Sequence, residues 1–105
     1  LRALAAPDEL TDAAAEKLAP LEALEWLACT GAASLFGSGL SCLRHFPRLH
    51  HLDLAYCTAL SDDIFPHLAS CSALDFLRLD DTAVQGVGLG LLTGLTKLTS
   101  LSLDD

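Results

Sequence analysis

The sequence contains no methionine and no asparagine, and it has few aromatic and few basic residues. Six Lys and Arg stand against 14 Asp and Glu in 105 residues, which gives a formal net charge of −8. A surface of this sign repels phosphate backbones and anionic lipid headgroups, so nucleic acids and membrane surfaces are disfavoured as direct partners. A basic protein surface would instead be attracted.

Other features that the sequence lacks bear on the cellular location of the protein. No apolar run approaches the roughly 18 residues of a membrane span, and the first residues lack the charged-then-apolar pattern of a signal peptide. Without asparagine there is no acceptor for N-glycosylation. Because the chain lacks an initiator methionine and starts on a leucine already in phase with the repeat described below, we expect it to be a piece of a longer protein.

The four cysteines, Cys29, Cys42, Cys57 and Cys71, admit two interpretations. They could form a disulfide framework, as in small secreted domains that lack a sufficient core. This sequence is 51% hydrophobic, however, and its cysteines recur at repeat positions, so we favour buried free thiols. Free thiols indicate the cytoplasm or another reducing compartment.

A leucine-led pattern recurs along the whole chain. It restarts at Leu1, Leu24, Leu49, Leu74 and Leu98, which divides the sequence into four and a half units, residues 1–23, 24–48, 49–73, 74–97 and 98–105. Each full unit is predicted to contain a short strand, a turn and a segment that returns to the next strand. One unit is too short to bury its apolar face alone, whereas stacked copies can bury it. The sequence therefore predicts a single repeat array.

The return segments are predicted to differ. Residues 13–18 favour a helix, with Thr11 or Asp12 as its N-terminal cap. Ile64, Phe65 and Leu68 fit one face of a helical turn. The second return begins with two glycines, which favours a 3₁₀ segment or a looser turn.

The spacing L-x-x-L-x-L-x-x-C/T of residues 49–57 and 74–82, and its truncated form in 98–103, resembles the leucine-rich repeat. The unit of residues 49–73, with Cys57 at the last position of the motif, is similar to the cysteine-containing subtype of F-box-type proteins, whereas the first two units depart from the pattern. The resemblance implies an α/β leucine-rich-repeat solenoid, with a curved parallel sheet on its concave face and short helices or turns on its convex face. It also allows a substrate-receptor role in a ubiquitin ligase, although no F-box segment is present.

In such an array, the residues between the strand leucines face outward and align from strand to strand. One row is predicted to contain Ala3, Trp26, His51, Phe76 and Ser100, and the next Ala5, Ala28, Asp53, Arg78 and Ser102. With strands about 4.8 Å apart, three rings in one row form an exposed line, which we call the aromatic strip: Trp26, His51 and Phe76. The predicted protein-binding surface consists of this strip together with Asp53, Tyr56, Arg78, Asp80 and Asp81.

Simpler explanations exist for the same residues. Cross-strand rings can serve only to stabilise a sheet, and aspartates after a strand often only favour a turn on a solvated face. The array could likewise be a permanent scaffold subunit of a large assembly instead of a module that captures a partner.

The sequence does not indicate a metal-binding, catalytic or nucleotide-binding site. The sequence has neither paired Cys-x-x-Cys units nor a helical His-x-x-x-His pair, and the repeat scatters its histidines and cysteines over different faces. No nucleophile, base and carboxylate are predicted to converge. The glycines at 86 and 88 lack the context of a nucleotide loop. We therefore expect a non-enzymatic, protein-binding module without metal or cofactor.

Overall fold

The computed structural model describes residues 2–5, 10–85, 90 and 100–102. The strands are β1 (Ala3–Ala5), β2 (Trp26–Ala28), β3 (His51–Asp53), β4 (Phe76–Arg78) and β5 (Ser100–Ser102). The α-helices are α1 (Asp12–Glu16) and α2 (Phe65–Leu68), and 3₁₀ segments span Gly37–His45 and Asp62–Ile64. The repeat leucines predicted at 1, 98 and 103 lie outside the described residues.

The five strands form one all-parallel sheet in chain order. Each strand pairs with the next at equivalent positions, so the first strand residues form the row Ala3, Trp26, His51, Phe76 and Ser100. The central residues form the row Leu4, Leu27, Leu52, Leu77 and Leu101. The chain is thus an α/β protein, and the strand register predicted from the repeat is confirmed.

Backbone pairing continues past the strands into the turns that follow them. The N–H of Cys29 donates to the carbonyl oxygen of Asp53 at 2.8 Å, and that of Leu54 donates to Arg78 at 2.9 Å. Two residues further along, the N–H of Tyr56 donates to the carbonyl oxygen of Asp80 at 2.8 Å. Because short strands offer few ladder bonds of their own, these additional bonds help to hold the register.

The core lies between the sheet and the return segments. In β2, β3 and β4 the central leucine is buried while the residues on either side are half-buried. Leu10, Leu35 and Leu60 close the core from the returns. One face of the sheet is therefore apolar and buried, and the other lies toward solvent.

All four cysteines are free and buried, as predicted. Burial raises the pKa of the Cys29 thiol to about 12, which keeps it protonated. Cys57 Sγ donates to the carbonyl oxygen of Cys29 at 2.8 Å, and Thr82 Oγ1 donates to that of Leu79, also at 2.8 Å. These small side chains, which follow β3 and β4, thus bond to backbone as the chain leaves the sheet.

Aspartates tie successive return segments together. Thr11 Oγ1 accepts a hydrogen bond from the N–H of Ala14 and caps α1, as predicted, although the helix ends at Glu16. Asp12 then accepts from the N–H of Phe36 at 2.8 Å, in the next unit. Asp62 accepts in the same way from the N–H of Gln85, at 2.7 Å. These carboxylates satisfy backbone donors that lack a partner within their own segment.

The second return is a 3₁₀ segment, as its glycines indicated. Gly39 lies so close to the first unit that a Cβ atom there would be 2.5 Å from Asp12 Oδ1 and 2.8 Å from Leu35 Cδ1. A side chain at this position would have to displace the ends of the Asp12 and Leu35 side chains, so glycine allows the second return to pack closely against the first unit without an unusual backbone angle.

Across the described ranges, no helix has both the length and the apolar character needed to cross a bilayer.

Candidate functional site

The aromatic strip is a continuous stack of rings on the solvent-facing side of the sheet. The ring centroids of Trp26 and His51 are 5.1 Å apart with an interplanar angle of 19°. Those of His51 and Phe76 are 4.2 Å apart with parallel planes. All three side chains are half-buried, so the predicted alignment of the three rings is confirmed.

The strand spacing explains this stack. Neighbouring parallel strands lie about 4.8 Å apart, close to the distance at which aromatic rings stack. Rings at equivalent positions of successive strands therefore face one another without any distortion of the backbone. The shared faces are covered by the neighbouring ring, and the ring edges are left toward solvent.

Arg78 organises a polar network beside the strip. Its Nε donates to Asp80 Oδ2 at 2.7 Å, and its Nη1 lies 3.6 Å from Asp53 Oδ2. Its Cζ atom lies 5.9 Å from the centroid of the Tyr56 ring, within the range of a cation–π contact. The structure thus brings four of the predicted site residues into one cluster.

Asp80 is not the exposed carboxylate that the sequence analysis expected. Only 8% of the residue is exposed, and it accepts hydrogen bonds from Arg78 and from Ser102 Oγ, the latter at 2.6 Å. It lies two residues beyond the end of β4, where the chain turns toward the core. The equivalent Ala55 is buried completely. Asp80 therefore links β4 to β5; its expected exposure is wrong, whereas its contact with a partner stays a prediction.

Asp53 also has an internal role. It is half-buried, and its Oδ1 accepts from the N–H of Ala55 at 3.0 Å while its other oxygen faces Arg78. Asp53 and Asp80 are thus largely occupied in holding the turn and the guanidinium of Arg78. Asp81, in contrast, is exposed.

Three equivalent turn positions have a left-handed backbone. The φ angles are 77° at Gly31, 64° at Tyr56 and 57° at Asp81. This conformation suits glycine, and it costs a residue with a Cβ atom about 1–2 kcal/mol. Tyr56 nevertheless occupies it, with 51% of its surface exposed. The Tyr56 side chain is therefore exposed to solvent at a position whose backbone conformation favours glycine.

A second row of ionisable residues precedes the strip residues and is not among the rows predicted from the sequence. Glu25, His50 and Asp75 each precede a strip residue, and backbone bonds of 2.9 Å run from the N–H of His50 to Glu25 and from that of Asp75 to His50. Glu25 Oε2 accepts from Arg2 Nε at 2.7 Å, which lowers the pKa of Glu25. Glu25 Oε1 lies 3.6 Å from His50 Nε2. This row could have been found from the sequence, because Glu25, His50 and Asp75 share one repeat position, directly before the three rings.

Other features of the described residues do not converge on a chemical site. A shallow cleft on the side opposite the sheet is lined by Ser41, Arg44, Pro66, His67 and Ser70. Within ranges 2–5, 10–85, 90 and 100–102, no three or more His, Cys, Asp or Glu side chains are grouped so that they could hold a metal ion. Phe36 is 54% exposed, but it lies in a return segment away from the strip.

Comparison with models of known protein families gives no match, and comparison with curated proteins gives none either.

The position of His51 between two rings predicts a pH dependence of stability. Partial burial lowers the pKa of His51, an effect that His50 reinforces and that Asp53 and Asp75 oppose. The unfolded chain therefore takes up a proton near pH 6.5 while the folded chain still resists it. We expect the free energy of unfolding to fall as the pH drops below about 6.5, until the folded-state pKa is passed.

The variant His51→Phe keeps a ring in the stack and removes this titration. Its free energy of unfolding in urea, measured from pH 7.5 to pH 5, should decrease less steeply than that of the unchanged protein. Parallel pH profiles for the two proteins would contradict the assignment.

The left-handed backbone at Tyr56 predicts an unusual order of stabilities. Tyr56→Gly should change the free energy of unfolding by less than about 1 kcal/mol, because relief of the backbone offsets loss of the Arg78 contact and the greater freedom of glycine in the unfolded chain. Tyr56→Val should be about 1–2 kcal/mol less stable than Tyr56→Gly, since a β-branched residue fits this region poorly.

Thr58 provides the control, because it is exposed and its φ is not positive. At Thr58 the order should reverse, with the valine variant more stable than the glycine variant. Equal stabilities of the two Tyr56 variants in urea denaturation would show that the backbone there carries no strain.

Proposed function

We propose that this chain is a leucine-rich-repeat solenoid that serves as a protein-interaction module. Paired residues of successive strands are 23, 25, 25 and 24 residues apart, which supports an array of similar units. The leucine row beneath the sheet supports it as well, because each unit covers the apolar face of its neighbour. The exposed side of the sheet is the surface that binds a partner protein.

The aromatic strip is the observation that carries this proposal. Three stacked rings remain half-exposed in one line, although the three strands that carry them, β2, β3 and β4, already bury a leucine on their other face. Because each ring is held by its neighbour, a partner that covers the strip gains contact area with little loss of side-chain freedom. Sheet stabilisation alone explains the stack, but not its combination with Tyr56 and Arg78.

Tyr56 and Arg78 extend the recognition surface. Trp, Tyr and Arg are the residue types most enriched at binding hot spots. Arg78 is held in place by Asp53 and Asp80, and Tyr56 remains exposed in a backbone conformation that disfavours it. A residue kept at some cost in stability is typical of a functional surface. Asp81 adds an exposed negative charge at this edge.

The partner we propose is a basic or amphipathic protein segment, since the formal charge of the chain is −8. The module acts by binding alone and uses no metal, cofactor or catalytic residue. A reducing compartment such as the cytoplasm suits its four buried free thiols.

Removing the end rings of the strip tests the proposal. A Trp26→Ala, Phe76→Ala double variant should retain its partners in quantitative affinity purification at least about tenfold less well, because hot-spot truncations typically remove 2 kcal/mol or more each. Both side chains lie on the outer side of the sheet, so the variant should fold, and its thermal unfolding is measured in parallel.

Phe36→Ala is the matched control, because it removes an exposed aromatic ring from a return segment. Partners lost from the double variant and retained by Phe36→Ala would identify the strip as the binding surface. Unchanged retention by a folded double variant would refute this. Recovery of a fixed large complex without partner exchange, also unchanged by the double variant, would favour the structural-subunit alternative.

A further inference from the structure

The spacing of the rings in the aromatic strip restricts the kind of segment that can cover it. The ring centroids are 5.1 Å apart from Trp26 to His51 and 4.2 Å apart from His51 to Phe76. The two end rings lie two strands apart in the sheet, on β2 and β4, which separates them by about 9.6 Å. A segment that covers the whole strip therefore has to present side chains at these intervals.

The direction of the strip restricts the segment further. The strip crosses β2, β3 and β4, with one ring on each strand. A partner segment aligned with the strands would meet a single ring, whereas a segment that lies across the strands meets all three. Because the rings cover one another's faces within the stack, such a segment rests on a row of ring edges.

An α-helix has the required intervals. Along one side of a helix, side chains one turn apart are separated by about 4.5 to 6 Å, and positions i and i+7 by about 10.5 Å. The first interval is close to the separation of neighbouring rings, and the second exceeds that of the end rings by only about 1 Å. In an extended chain, side chains on one side lie about 6.6 or 13 Å apart, and neither interval fits. The geometry therefore favours a helix.

The charge of the chain determines the other side of that helix. The formal net charge is −8. Arg78, a cation beside the strip, is held by Asp53 and Asp80, so its positive charge is already compensated within the fold. A helix with lysine or arginine on its polar side is attracted by the field of the whole chain, without any single carboxylate as its acceptor.

We propose that the aromatic strip is the binding site of a basic amphipathic α-helix of the partner, which lies across β2, β3 and β4 and presents one side chain per turn to each ring. This inference rests on the proposed function and specifies the partner segment. Apolar side chains at i and i+7 cover Trp26 and Phe76, and the side chain at i+3 or i+4 meets His51. A neutral imidazole has both a donor and an acceptor on its edge, so an amide side chain suits this middle position.

Labelled synthetic peptides of one composition test the helix directly. The first carries leucine at i and i+7 and glutamine at i+4, on a background of lysine and alanine. The second carries the same three residues at i, i+2 and i+4, the arrangement that suits an extended chain. In fluorescence anisotropy titrations, the first peptide should bind at least about fivefold more tightly than the second. A proline in the middle of the first peptide should remove this advantage, because it breaks the helix.

Far-UV circular dichroism reports the conformation of the bound peptide. A peptide of about 14 residues is only marginally helical alone. The described α-helices of the chain, α1 and α2, contain five and four residues. On mixing, the helical signal should exceed the sum of the signals of the separate components with the first peptide, and not with its proline variant.

Variants of the chain test whether the first peptide binds at the strip. Trp26→Ala, Phe76→Ala should weaken its binding at least about tenfold, because both end contacts are lost. Phe36→Ala removes an exposed ring outside the strip and should leave its affinity unchanged. Replacing the lysines of the peptide by glutamate should weaken binding to the unchanged chain by a similar factor, since the charges then repel.

Equal affinities for the two arrangements, no gain in helical signal, or no binding of the first peptide would overturn the helix site. Equal effects of the double variant and of Phe36→Ala on peptide binding would overturn it as well. The proposed function has a separate readout, the retention of partners by the double variant. If retention is lost while the helical peptide is not preferred, the strip binds its partner in another conformation. If a folded double variant retains its partners unchanged, both proposals fail.

Discussion

Parallel pairing of successive strands at one register is the constraint on which the rest of this structure depends. The pairing is held by backbone bonds that continue from the strands into the turns. Side chains alternate along a strand, so a slip of one residue would turn Leu27, Leu52 and Leu77 out of the core and the aromatic residues into it. The buried leucine row and the exposed aromatic strip are therefore consequences of the same register.

The surface beside the strip is rigid because its polar groups satisfy one another. Asp53 and Asp80 hold Arg78 from two sides, and Ser102 connects this cluster to the next strand. Two of the acidic side chains, Asp53 and Asp80, thus make their ionic contacts within the fold. Under the proposed function, a partner meets rings that stack on one another and a guanidinium held by two carboxylates, which keeps the loss of conformational entropy on binding small.

Repeat alignment could predict which residues become neighbours, and for that reason the strand register and the stacked rings were predictable. The 3₁₀ return was predictable from its two glycines, and the free thiols from the apolar composition together with their repeat positions. It could not predict how the turn after each strand orients its side chains. Asp80 is buried because of Arg78 and of Ser102 in a different unit, and Tyr56 is exposed in a left-handed turn whose clearest signal is the glycine at position 31. The same alignment also places Glu25, His50 and Asp75 at one repeat position, but the predicted binding surface did not include that row.

The most direct test of the central claim is site-specific photo-crosslinking in cells, with benzoylphenylalanine in place of Phe76 or of Phe36. Both positions hold aromatic residues that are at least partly exposed, but only Phe76 belongs to the strip. A defined protein adduct at position 76 that is absent at position 36 is the predicted result. The same adducts at both positions, or an adduct at position 36 alone, would contradict the account.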